Sequence, residues 1–145
     1  MTNINQIRKQ VAIIANRINK KLKDLSAAFK RAWQIVKGRE VVSKIAGVTF
    51  GTRQKALQKL EQYDVTAVNV TLVREDDNTH DTNAIRVDVS VGSGAAYQLG
   101  YIPKDVATVL APLLDKGIEL IARFKGVTGG TFDKLNYGAL ITVEM

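Results

Sequence analysis

Apolar residues along this chain follow two different rhythms. Over residues 4–23, Ile4, Ile7, Val11, Ile14 and Ile18 recur every three or four positions and form one stripe of an amphipathic helix. Lys21 interrupts the next slot and Leu25 resumes it. At roughly three heptads the stripe is marginal for a coiled coil, so it packs either on its own domain or on a second chain as a dimerisation helix. Asp24 and Ser26 are N-caps for a second, shorter helix, on which Phe29, Ala32, Trp33 and Val36 share a face before Gly38 stops it. An aromatic stripe at helical spacing reads as a packing surface, and Trp33 is assigned to it.

From Val41 the pattern changes. Lys44–Phe50 predicts a strand, Gly51-Thr52 a turn, and Gln54–Tyr63 a helix with Ala56, Leu57 and Leu60 inward. Val65–Val73 alternates, with Val68, Val70 and Leu72 on one face and Asn69 and Thr71 on the other. Ala84–Val91 predicts a second long strand, Ser90–Gly94 a hairpin loop and Tyr97–Tyr101 the returning strand. Asp105–Lys116 is helical, but Pro112 disfavours helical dihedrals at Ala111, so two short helical pieces are expected. Ile118–Val127 and Tyr137–Val143 complete the strands. This order predicts an α+β fold: a small, partly open β-barrel with two interposed helices, preceded by two basic amphipathic helices. The expected organisation is a helical extension over 1–43 and one domain over 44–145.

Charge divides the chain the same way. Residues 1–44 carry eleven basic and two acidic side chains, and the remainder ten basic and twelve acidic, so the overall charge of +7 arises from the first third. Arg17, Lys20, Lys21, Lys23, Lys30 and Arg31 form a basic patch there, suited to a polyanion or an acidic protein surface. A solvated helix face is the plainer reading of the same residues. Without cysteine the chain has no disulfide and no thiolate metal site, and no apolar run is long enough to span a bilayer. A cytoplasmic protein is expected.

Catalytic motifs are lacking. His80 is the single histidine, which excludes metal sites built from histidine or cysteine clusters, and no Walker loop or glycine fingerprint follows a strand. Glu75, Asp76, Asp77 and Asp81 do not match the calcium-loop spacing and lack its central glycine. No cofactor and no enzymatic activity are expected. The segment Asp77-Asn78-Thr79-His80-Asp81-Thr82-Asn83 reads as a polar turn whose Asn78, Asp81 and Asn83 side chains can cap backbone N–H groups before the strand at Ala84-Ile85.

That turn, continuing into Ala84-Ile85, and the later Leu99-Gly100-Tyr101-Ile102-Pro103-Lys104-Asp105-Val106-Ala107 together resemble the two characteristic segments of the HIRAN domain. Gly47-Val48-Thr49-Phe50, Arg53-Gln54, Leu72–Glu75 and Leu110–Gly117 extend the resemblance over about residues 44–145. It implies an OB-like fold and binding of single-stranded DNA, including 3′ ends. By the same resemblance, Asp81 matches the carboxylate that meets a terminal hydroxyl, and His80 stands where an aromatic stacks on a base. Arg53 and Lys104 are placed to meet phosphate, Tyr101 to face the groove, and Tyr137 to stack; for either tyrosine, core packing with its hydroxyl bonded is the rival reading. Gln54 departs from the family by occupying a position that is aromatic in some end-binding members.

A second reading comes from the Ala-Phe-Lys-Arg-Ala-Trp leader, which is similar to N-terminal helices of small phage and mobile-element proteins. A phage-encoded chain would act in the host cytoplasm as an anti-CRISPR-type counter-defence protein, its basic helices binding and blocking a host nuclease complex. In that version Asp81 is dispensable.

Overall fold

The computed structural model describes residues 40–145, together with Asn5, Gln6, Lys9 and Ile13, which lie in helical backbone. The basic patch, the Trp33 stripe and the proposed dimerisation stripe lie outside the described residues.

Six antiparallel strands form one sheet: β1 (Val41–Lys44), β2 (Val68–Glu75), β3 (Ala84–Val91), β4 (Tyr97–Tyr101), β5 (Ile121–Thr128) and β6 (Gly138–Glu144). Their order across the sheet is β1-β6-β5-β2-β3-β4. Helix α1 (Arg53–Leu60) follows β1, and α2 (Lys104–Asp115) follows β4, so the α+β assignment and the two interposed helices hold. A short 3-10 turn, Val65–Ala67, leads into β2, with Asp64 accepting from the Thr66 amide at 2.9 Å.

The sheet curls until its two ends meet. Val41–Lys44 pairs with β6 at one edge; two residues later Ala46 pairs with Tyr101 of β4 at the other. That bridge consists of two backbone hydrogen bonds, Ala46 N to Tyr101 O at 2.8 Å and Tyr101 N to Ala46 O at 2.9 Å. On the far side, β2 and β5 share a single Cα pairing, Asn69 with Arg123. The result is a barrel that is partly open along one seam.

The predicted strand over Lys44–Phe50 is thus displaced. Pairing with β6 starts at Val41, and the chain after Ala46 turns outward, leaving Phe50 68% exposed. A run of apolar residues gave no sign of where the ladder partner ends. The two helical pieces expected around Pro112 are likewise one helix, with Pro112 inside it. Val106, Val109, Leu110 and Leu113 are almost completely buried, and this packing outweighs the one hydrogen bond that proline cannot donate.

Within β4 the ladder has one residue too many. Val87 pairs with Gly100 and Asp88 with Gln98, so Leu99 is extra and makes a β-bulge. Leu99 is fully buried and Gly100 faces the same way. An alanine Cβ at Gly100 would lie 2.2 Å from the Ala46 carbonyl oxygen, so glycine is what lets the closing bridge form. Beyond the bulge Tyr101 pairs with Arg86, on the opposite face from the core residues Val87 and Val89.

Candidate functional site

The polar turn between β2 and β3 is built from its own side chains. Asn78 Oδ1 accepts from the backbone N–H of His80 at 2.9 Å and of Asp81 at 3.1 Å, and Asp81 Oδ1 accepts from the Asn83 N–H at 2.9 Å. Asn83 contributes its backbone, not its side chain, to this set. Buried Ala84 and Ile85 then fix the start of β3.

Against this turn lies a cleft of about 260 Å³, walled by Asn78, His80, Asp81, Tyr101 and Lys104 over a floor that includes Ala46, Ala84 and Ile102. Four of the predicted site residues, His80, Asp81, Tyr101 and Lys104, meet here. His80 and Lys104 are exposed, while Asp81 and Tyr101 are half-buried.

Arg53 and Tyr137 stand apart. Arg53, at the start of α1, donates from Nη1 to the Gly47 carbonyl at 2.7 Å, one residue along from the cleft residue Ala46, and its guanidinium lies 5.8 Å from the centre of the Phe50 ring. Tyr137 does not line the cleft. Its ring lies so close to Gly130 that a Cβ there would fall 2.2 Å from Cε1. Its backbone is held by Gln54, whose Oε1 accepts from Tyr137 N at 2.7 Å and whose Nε2 donates to Tyr137 O at 2.9 Å and Val48 O at 3.0 Å. Gln54 therefore has a structural task, beyond the absence of an aromatic there.

Sequence reasoning missed the polar cluster behind the cleft. Glu75 accepts from Asn78 Nδ2 at 3.2 Å through Oε1 and from Arg86 Nη1 at 3.2 Å through Oε2. Arg86 in turn grips Asp88 with two bonds, at 2.9 and 3.0 Å. The spacing of Arg86 and Asp88, two apart on a strand, was a readable signal for a shared face; Glu75 required the register of β2 on β3. Burial raises the Tyr101 hydroxyl above its ordinary value, and the Glu75 carboxylate adds to this, so the phenol stays protonated. Among the described residues no group of three or more His, Cys, Asp or Glu side chains is placed to hold a metal ion.

For Glu75, burial alone would raise the carboxyl, but hydrogen bonds from Asn78 and Tyr101 and the Arg86 charge outweigh it and hold the group low. A carboxyl lowered on folding stabilises the native state above its unfolded value, and that contribution fades as pH falls through the folded value. The thermal midpoint is expected to drop more steeply below about pH 4.5 in the wild type than in Glu75→Gln. Parallel acid limbs in calorimetry would contradict this.

A curled antiparallel barrel with a polar cleft beside its closing bridge defines a small binding module of the OB-like kind. The sequence profile of the HIRAN domain matches residues 40–138, and the chain belongs to that family, whose members are DNA-binding modules. A Fanconi-associated nuclease 1 homolog from Oryza sativa subsp. japonica is 44% identical over 48 residues, covering 33% of this chain and 5% of that protein. Its Arabidopsis thaliana counterpart is 35% identical over 75 residues, or 52% and 8%. The matched part is thus a small fraction of these relatives' length. Similar solved structures include the HIRAN domain of human HLTF (TM-score 0.45, 19% identity, 72% of this chain and 74% of that one). A protein from Lactobacillus plantarum is comparable (TM-score 0.47, 24% identity, 73% and 97%).

Proposed function

We propose that the cleft binds the 3′ end of single-stranded DNA. The observation that carries this is the meeting of Asp81, His80, Tyr101 and Lys104 in one recess whose floor is apolar. A carboxylate repels a phosphate but accepts a hydrogen bond from a free hydroxyl, so Asp81 favours a terminal nucleotide with nothing beyond it. His80 and Tyr101 offer ring faces to the terminal base, while Lys104 and Arg53 meet the phosphates before it. Nothing in this arrangement calls for catalysis.

The test is fluorescence anisotropy with matched oligonucleotides ending in a 3′-OH or a 3′-phosphate, across a salt series. A hydrogen bond to a charged group contributes about 1.5–3 kcal/mol, so the free hydroxyl is expected to bind at least about tenfold tighter. Asp81→Asn keeps an oxygen to cap Asn83 but removes the charge, and is expected to bring the two ends close to parity. Arg53→Ala and Lys104→Ala should each lower the salt slope by about one without changing the preference. Equal affinity for both ends in the wild type would overturn the end-binding reading. Absence of binding at low salt would favour a protein partner, such as the host nuclease.

A further inference from the structure

The carboxylate in the cleft is held by a series of polar contacts that begins outside the cleft. Asp81 commits one oxygen, Oδ1, to the Asn83 N–H, and its own N–H is capped by Asn78 Oδ1, as is that of His80. Asn78 lines the cleft, yet both its polar atoms are engaged within the protein, because Nδ2 donates to Glu75 Oε1 at 3.2 Å. Glu75 is not part of the cleft lining; it stands at the neck of the turn, paired with Ala84 at the end of the β2–β3 ladder. Its carbonyl accepts from the Asn78 N–H at 3.3 Å, so Asn78 is tied to Glu75 through backbone and side chain alike. Arg86, on β3, fixes the other oxygen of Glu75, and two bonds to Asp88 fix Arg86. Glu75, Arg86 and Asp88 are all half-buried, where water screens their charges less than at the open surface.

An asparagine amide can turn over with little change of shape, exchanging donor for acceptor. Turned over at Asn78, it would present Nδ2 to two N–H donors and Oδ1 to a carboxylate. Glu75 therefore selects the orientation that caps His80 and Asp81. We infer that Glu75 is a positioning residue for end recognition: through Asn78 it sets the backbone at His80 and Asp81, and so aims the Asp81 carboxylate at the terminal hydroxyl. The inference rests on the cleft holding a 3′ end.

The test transposes the contact. Glu75→Gln supplies one oxygen where Asn78 and Arg86 need two, and Asn78→Asp sets a second carboxylate against Glu75. In Glu75→Gln/Asn78→Asp the new glutamine donates to the new aspartate and accepts from Arg86. The aspartate's other oxygen keeps both caps, and the net charge equals that of the wild type. The readout is the ratio of affinities for 3′-OH and 3′-phosphate oligonucleotides. Each single substitution is expected to lower it about fivefold, the effect of one hydrogen bond, and the double to restore it to within about twofold.

The two single substitutions change the charge in opposite directions, so charge alone would move the ratio in opposite directions. A merely structural role would lower the urea midpoint and leave the ratio unchanged. Either result, or a double variant no better than the worse single one, would overturn the inference. Amide exchange at His80 and Asp81 in the free protein reports the link without DNA: about fivefold faster exchange is expected in Glu75→Gln, with recovery in the double variant. Unchanged exchange would overturn the positioning role whatever the DNA result. Exchange that follows the substitutions, in a protein that binds both ends equally, would keep the link and sink the end-binding reading instead.

Discussion

Gly100→Ala is expected to destabilise the domain by about 3 kcal/mol, a large part of the roughly 5–15 kcal/mol that such domains possess. The new Cβ would lie 2.2 Å from the Ala46 oxygen and 2.6 Å from Ile45 Cγ2. The first of these is backbone, so rotamer changes cannot relieve it. The strand must move, and the two hydrogen bonds between Ala46 and Tyr101 lengthen or break. Overpacking costs about 1–3 kcal/mol and each lost hydrogen bond about 1 kcal/mol, which together reach the stated figure. Because Ala46 and Tyr101 both belong to the cleft, DNA binding should weaken at temperatures where the variant is still folded. Urea unfolding checks the first outcome, and a midpoint within error of wild type would contradict it.

Gln54→Leu is expected to cost about 2–4 kcal/mol despite conserving the size of the side chain. Leucine fills the space but leaves Tyr137 N, Tyr137 O and Val48 O without their partner. An unsatisfied buried group costs about 1–3 kcal/mol, and water reaching this half-buried site reduces the sum. Gln54→Glu, which keeps an acceptor for Tyr137 N and loses the donor, should fall between the two. The same urea series measures both. A neutral Gln54→Leu would mean that the stitch between α1 and the start of β6 contributes nothing to stability.

Much of this fold was legible in the chain because its strands alternate cleanly. Ala84–Val91 and Tyr97–Tyr101 were placed to the residue, since turn residues bound them on both sides. Lys44–Phe50 is displaced because a short apolar run near a barrel seam changes partner between Ile45 and Ala46, from β6 to β4, and neither partner is encoded nearby. Pro112 was over-weighted, since local propensity lost to the burial of the residues around it. For the site, the polar turn announced itself through its density of Asn and Asp, and the cleft gathers four of the residues named from the sequence. Tyr137 is suggested only by the family resemblance, and its ring packs against Gly130. The Glu75 cluster stayed hidden because its members come from three strands, and only the pairing of those strands brings them together.

The extra residue in β4 has a consequence for how this chain tolerates change. Tyr101 faces Glu75 and the cleft because Leu99 offsets the count; the tyrosine's identity only decides what arrives there. Deleting one residue between Tyr97 and Gly100 would restore an even ladder and alter which side chains face out, with every residue type in the cleft still present in the sequence. Substitutions tune this wall by degrees. Insertions and deletions in five residues of β4 act on it as an all-or-none change, so the length of that strand, as much as its composition, specifies the binding surface.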